Sequence, residues 1–221
     1  MTARAGWADL LQRLFFLLVV RPFLLLFIGL RVQGREHLPE RGPFLLVANH
    51  TSHLDTVSLL SLFPLSRLGE VRPVAAADYF ARNRLVAFFS DTLFNILPIV
   101  RRREEVTEGN DPRRLMKDAL EAGSSLILFP EGTRRSTAEE VGRFKTGVGD
   151  VLLGRPGTLV VPCYLVNMGR SLPKGEWVPV PIFCEVRIGR PRTFSGSRED
   201  VLRALEDTVR ELKDAGAPAA P

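Results

Sequence analysis

The sequence predicts an α/β fold: a mixed, partly parallel sheet flanked by helices, with an N-terminal membrane-associating helix or helix pair. Three observations carry this. Short apolar runs that read as strands alternate with stretches of helical periodicity, the pattern that lays helices over a partly parallel sheet. At 221 residues, 45% hydrophobic and 25% charged, the chain suits one globular domain with a sizeable core. The run Leu14–Leu30 is apolar except for Arg21, which Pro22 follows.

That run shapes the first segment, residues 1–35. Trp7–Leu11 is an amphipathic opening. A helix over Leu14–Leu30 would reach about 25 Å, short of the roughly 30 Å hydrocarbon core. The charge and the proline at its middle cut it into Leu14–Val20 and Phe23–Leu30. The expectation is a helix or pair dipping into one leaflet, with Arg4, Arg13, Arg21 and Arg31 near head groups. A buried core helix and a single tilted span are the alternatives. No small-residue cleavage site follows, so a signal peptide is not expected.

Residues 36–214 form the folded domain, and 215–221 an Ala/Pro-rich disordered tail. Arg31–Gln33 and Pro43–Ala48 read as strands, separated by a Pro/Gly linker, and Thr56–Phe63 as a helix. Val71–Ala76 is a strand, Asp78–Leu93 a helix and Ile96–Val100 a short strand running into Arg101-Arg102-Arg103. Pro112 opens a helix to Ala122, with Asp111 as N-cap and Gly123 as stop. Ser125–Phe129 is a strand, Phe144–Leu153 a helix and Thr158–Leu165 a strand. Val178–Ile188 is a late strand, placed at an edge because Pro179 and Pro181 donate no ladder hydrogen bond. Arg198–Lys213 is a helix with Val201, Leu205, Val209 and Leu212 on one face.

Composition narrows the partners. A formal net charge of +5 suits anionic ones, such as an anionic membrane surface or a phosphorylated substrate. The aromatic residues, 14 of them Phe, sit in apolar runs and are not interleaved with Arg and Lys, so no nucleic acid is expected. Cys163 and Cys184 lie in strand-like stretches without zinc or redox spacing, and read as two reduced core thiols.

Three groups of polar residues fall at the ends of apolar strands: His50 with Asp55, Arg101, and the turn Glu131-Gly132-Thr133-Arg134. Ligands of α/β sheets collect outside the carboxyl ends of strands, so these distant groups are expected to converge. A general base needs a histidine that can reach substrate and a carboxylate to orient it. His50 and Asp55 would lie about 140° apart on an unbroken helix, so they meet only if the chain turns between them. Arginine suits phosphate through its paired N–H groups. A base dyad beside such groups points to proton abstraction from an alcohol that carries phosphate. His53 with His50 and Asp55 is also a conceivable metal set, which would make a metal-dependent phosphohydrolase. No metal is the expectation, and His53 is assigned a hydrogen bond at the helix N-terminus.

Asn49-His50-Thr51-Ser52-His53-Leu54-Asp55 resembles the Asn-His-x4-Asp block of the glycerolipid acyltransferases of the lysophosphatidate (1-acyl-sn-glycerol-3-phosphate) acyltransferase type. Pro98–Arg101, Phe129–Arg134 and Val161-Pro162 are similar to the family's later blocks, in order, and Phe144–Gly147 to a further segment. Two positions depart from the pattern: Ala77–Phe80 stands where many members carry Lys-x-Glu-Leu, and Arg135 where Ser is more usual.

The resemblance implies that 36–214 is an acyltransferase domain that moves an acyl chain from acyl-CoA or acyl carrier protein to the hydroxyl of lysophosphatidate, giving phosphatidate for phospholipid biosynthesis. His50 would be the base and Asp55 its orienting partner. Arg101, Glu131, Gly132, Thr133, Arg134 and Lys145 would bind substrate. No cofactor is implied beyond the acyl donor. The membrane-associated enzyme would work at the cytoplasmic face, on a membrane lipid acceptor. Another lysophospholipid or lipid alcohol is the alternative acceptor, and a non-catalytic lipid-binding module the alternative function.

Overall fold

The computed structural model describes residues 6–78, 84–134 and 141–215. Arg4, Tyr79, Phe80, Arg135 and the tail beyond Ala215 lie outside the described residues, and so do the expectations that fell on them.

Among the described residues seven strands form one sheet: β1 (Arg31–Gln33), β2 (Leu45–Ala48), β3 (Val71–Ala76), β4 (Leu97–Ile99), β5 (Ser125–Leu128), β6 (Val160–Val166) and β7 (Glu185–Ile188). Their spatial order is β1-β7-β6-β2-β5-β3-β4, and every pairing is parallel except β6 with β7. The sheet is therefore mixed and mostly parallel. β2 sits between β5 and β6, and both β2 and β5 are buried along their whole length. Burial on both faces explains why they read as unbroken apolar runs.

The late strand differs from its expectation. β7 is confined to Glu185–Ile188 and lies inside the sheet, between β6 and β1. The segment with Pro179 and Pro181 lacks two ladder donors and stays a loop, so pairing starts only beyond it. The three-residue β1 takes the edge instead.

Successive side chains of the central strands feed opposite layers, as a pleated strand requires. Leu46, Ala48 and Ile127 join a core with Leu59, Leu60 and Phe63 of the segment after Asp55 and with Phe16, Val20, Leu24 and Ile28 of the N-terminus. Leu45, Val47, Leu126 and Leu128 join a second core across the sheet. Helices α1 (Gly6–Phe15), α2 (Leu54–Ser61) and α3 (Arg84–Phe94) are followed by α4 (Pro112–Glu121), α5 (Gly147–Leu153), α6 (Met168–Ser171) and α7 (Arg198–Asp214). The second core takes Met116 and Leu120 of α4, Val148 and Val151 of α5, and Val201, Leu205 and Val209 of α7. Local chemistry sets several boundaries: Asp111 caps α4 by accepting from Arg113 N–H, Gly123 turns it off at φ 88°, and Ser197 with Asp200 closes a capping box on α7.

The N-terminal segment is one helix, Gly6–Phe27, and not two pieces. It passes Arg21-Pro22 through wide π turns at Phe16–Val20 and Phe23–Phe27, where Arg21 N–H bonds Phe16 O and Ile28 N–H bonds Phe23 O. Such turns absorb the missing proline donor without unwinding the helix. They also correct its face. Buried residues recur every fourth position, at Ala8, Gln12, Phe16, Val20, Leu24 and Ile28. In a pure α-helix that spacing drifts by about 40° per step, and the wider turns take up the drift. Arg21 does not face head groups. Its guanidinium donates to Phe63 O at 2.7 Å, and Arg35 donates to Leu62 O at 3.0 Å. These carbonyls end α2, where unpaired C=O groups attract cations. On the outer side Leu10, Leu14, Leu17, Leu18, Leu25 and Leu26 are exposed.

Candidate active site

β2, β3, β4 and β5 run parallel, so their carboxyl ends open on one side of the sheet. The residues just beyond them are Asn49-His50, Ala77-Asp78, Val100-Arg101 and Phe129–Arg134. The convergence expected from the sequence is present.

Between β2 and α2 the chain turns tightly, and Asp55, fully buried in the first turn of α2, holds the turn together. Its Oδ2 accepts from Thr51 N–H at 2.6 Å and from Ser52 N–H at 2.8 Å, and lies 2.8 Å from His50 Nδ1. A carboxylate at Nδ1 fixes the tautomer and leaves Nε2 for a reacting proton. The imidazole also stacks on Phe129, centroids 4.1 Å apart and planes within 15°. Ring plane and ring direction are thus both set, while 18% of the side chain stays exposed.

Two further contacts brace the turn. Asn49 is buried and completes the β2–β6 ladder with its amide: Nδ2 donates to Leu165 O at 3.0 Å, and Oδ1 accepts from Leu165 N–H at 2.7 Å. Glu131, also buried, accepts from His50 N–H through Oε1 at 3.2 Å. Gly132 follows at φ +73°, and a Cβ there would meet the end of the Lys145 side chain at 2.6 Å.

His50 opens onto a cavity of about 650 Å³, lined also by His53, Thr56, Arg101, Thr133, Arg134 and Lys174. Apolar walls come from Val57, Ala75, Phe94 and Ile96. Two arginines and the histidine therefore face one partly apolar space. Lys145 is not in it. It lines a neighbouring cavity of about 670 Å³ with Gly132, Met116 and Val148, which shares Arg101 with the first. Glu131 lines neither.

His53 stands at the N-cap of α2, but its side chain makes no capping hydrogen bond; Ser52 Oγ accepts from the Leu54 N–H. The His53 ring faces the cavity beside Trp177, centroids 6.4 Å apart. Burial first, then the nearby Arg134 and His50, lower its pKa to about 4. Among the described residues no set of three or more His, Cys, Asp or Glu side chains is arranged to hold a metal ion. Cys163 and Cys184 are free and buried; burial raises both thiols, Cys184 to about 11, so neither is a ready nucleophile.

Phe129 and Asn49 received no role from the sequence. Asn49 stood inside the quoted block, so a signal was present. Phe129 likewise opened the quoted block Phe129–Arg134, but nothing in its spacing showed that its ring would stack on His50.

An oriented histidine at the strand ends of a mostly parallel sheet, facing arginines across a half-apolar cavity, is an arrangement that can move a proton on a substrate with an anionic group. Comparison with known proteins gives the class a family. A family model described as "Acyltransferase" matches residues 29–166, and the chain belongs to that family. It is 29% identical over 177 residues to a chloroplast 1-acyl-sn-glycerol-3-phosphate acyltransferase of Arabidopsis thaliana, covering 80% of this chain and 46% of that protein. A 1-acyl-sn-glycerol-3-phosphate acyltransferase of Pseudomonas aeruginosa is 30% identical over 167 residues, covering 72% and 57%. A lyso-ornithine lipid O-acyltransferase of Brucella abortus is 28% identical, covering 94% and 83%. The chain spans about half the length of several curated relatives it matches. Among solved structures, the crystal structure of the 1-acyl-sn-glycerophosphate (LPA) acyltransferase PlsC from Thermotoga maritima shares the fold, with a TM-score of 0.70 at 21% identity over 99% of this chain and 85% of that one.

Proposed function

We propose that the protein transfers an acyl chain from an acyl thioester, acyl-CoA or acyl carrier protein, to the free hydroxyl of lysophosphatidate, forming phosphatidate. The observation that carries this reading is the His50–Asp55 pair, fixed at 2.8 Å and facing a cavity that Arg101 and Arg134 also line. Nε2 of His50 removes the hydroxyl proton as the oxygen attacks the thioester carbonyl carbon. The C–S bond breaks, and the thiolate leaves with the proton that His50 returns. Asp55 stabilises the imidazolium in between. Arg134 and Arg101 hold the acceptor phosphate, Thr133 and Gly132 shape the turn beside it, and Glu131, buried and outside the cavity, braces the His50 loop instead of meeting the acceptor hydroxyls. Lys145 extends the basic surface toward the neighbouring cavity. The chemistry calls for no cofactor besides the donor.

Membrane association follows from the same reading. Helix Gly6–Phe27 is long and apolar enough to cross a bilayer, yet a stripe along it is buried on the domain and the opposite side is bare. Lying in one leaflet satisfies both sides. The net charge of +5 suits an anionic surface, on the cytoplasmic face.

A second acceptor class is kept because the lyso-ornithine lipid enzyme matches over most of its own length. A panel of lysolipids with both donor types, read by product mass, decides between them. His50→Ala should release no thiol with any pair; turnover in that variant would overturn the mechanism.

A further inference from the structure

The loop Leu172–Phe183, between α6 and β7, carries an unusual set of side chains. Trp177 is 84% exposed, Val178 78% and Phe183 83%, and Val180 is exposed as well. Its main chain is nonetheless held. Val180 N–H donates to Ser171 O, and Ser171 Oγ donates to Val180 O, each at 2.7 Å. Asn167 Nδ2 donates to Phe183 O at 3.1 Å, and Ser52 Oγ to Leu172 O at 2.8 Å. An anchored backbone that turns four large apolar groups outward is a built surface.

The surface has two neighbours. The Phe183 ring lies against Gly29, in the turn that ends the N-terminal helix, so the loop continues the apolar face of Leu25, Leu26 and Phe27. At its other end Lys174 lines the His50 cavity, and Trp177 stacks beside His53, which lines it too. The loop therefore runs from the tip of the apolar helix to the edge of the reaction cavity. Trp with an apolar body and a polar N–H favours the head-group level of a bilayer, and Lys174 in the loop and Arg170 just before it outnumber the one acid there, Glu176.

We propose that Leu172–Phe183 is a second membrane-inserting element, which with the end of the N-terminal helix seats the mouth of the His50 cavity on an anionic phospholipid bilayer. Two insertion points fix the tilt of the domain, which one helix cannot do. The acceptor then passes from the leaflet directly into the half-apolar cavity that His50 lines. The proposal rests on the reading of the protein as an enzyme acting on a lipid acceptor.

The chain has two tryptophans, Trp7 and Trp177, so Trp7→Phe leaves Trp177 as sole reporter. On vesicles of phosphatidylglycerol and phosphatidylcholine, Trp177 emission should shift to the blue and be quenched by brominated acyl chains. If the protein floats with the vesicles while Trp177 emission neither shifts nor is quenched, the loop stays in water and the proposal is overturned. Val178→Ser with Phe183→Ser should weaken vesicle partitioning about tenfold or more. It should lower turnover of vesicle-borne lysolipid while a short-chain, water-soluble lysolipid is turned over as before. Equal losses on both acceptors, or none on either, overturn the proposal. His50→Ala should leave the quenching intact. Quenching of Trp177 without acyl transfer by the wild type would leave the loop standing and the functional reading fallen; acyl transfer without quenching would do the reverse.

Discussion

His50 Nδ1 lies 2.8 Å from Asp55 Oδ2, and that single oxygen also closes the turn by accepting from the Thr51 and Ser52 amides. Orientation of the ring and folding of the turn thus depend on one atom. Asp55→Asn is expected to lower kcat by about a hundred- to ten-thousandfold, the range of general-base contributions. It should also destabilise the fold by about 1–3 kcal/mol, because a neutral amide oxygen holds the three donors less strongly than a carboxylate oxygen, and the NH2 would be buried in the place of Oδ1, which accepts no hydrogen bond among the described residues. Steady-state kinetics and urea unfolding read the two effects. A variant that loses activity with unchanged stability would separate the two duties.

Asn49 carries a structural load beside it. Its amide substitutes for a main-chain partner of Leu165, satisfying one donor and one acceptor inside the sheet. Asn49→Ala leaves both groups buried without that partner, and about 2 kcal/mol of stability should go. Activity per folded molecule should fall as well, since His50 is the next residue. Thermal unfolding checks the first expectation, and assay at a temperature where the variant stays folded checks the second.

Local signals explain what was legible in the sequence. β3 at Val71–Ala76 and the start of α4 at Asp111-Pro112 agree with their expectations because apolar runs and cap chemistry act within a few residues. The gathering of His50, Arg101 and Arg134 was legible because parallel strands end on one side. Which way a side chain turns there depends on packing partners far along the chain. Glu131 faces the His50 amide, Lys145 a neighbouring cavity, and Arg21 the end of α2. The burial of β7 between β6 and β1 was likewise hidden, since only the partner strands define an edge.

The division of cations between two cavities separates Arg134 from Lys145 in space. Arg134 lines the His50 cavity, whereas Lys145 lines its neighbour over Gly132. Arg134→Ala should raise KM for a phosphate-bearing acceptor by about ten- to a hundredfold, the worth of a charge-assisted hydrogen bond. Lys145→Ala should change that KM much less. Equal effects of the two substitutions would show that both cations reach the same phosphate.

His53 gives the site a pH signature that does not depend on turnover. Burial and the adjacent Arg134 hold its pKa at about 4 in the folded protein, against an ordinary 6.5 in the unfolded chain. Between these values the unfolded chain binds a proton that the folded protein refuses, so stability rises with pH across the window. The contribution is complete above the unfolded value and is lost progressively as pH falls toward the folded one. The ring is partly exposed, and solvent screening trims the size of the effect but not its sign. His53→Gln removes the titrating group, so urea unfolding between about pH 7 and about pH 5 should show a smaller loss in the variant than in the wild type. Identical losses would mean that His53 takes up its proton in the folded state, and that Arg134 does not press on it as the geometry of the cavity requires.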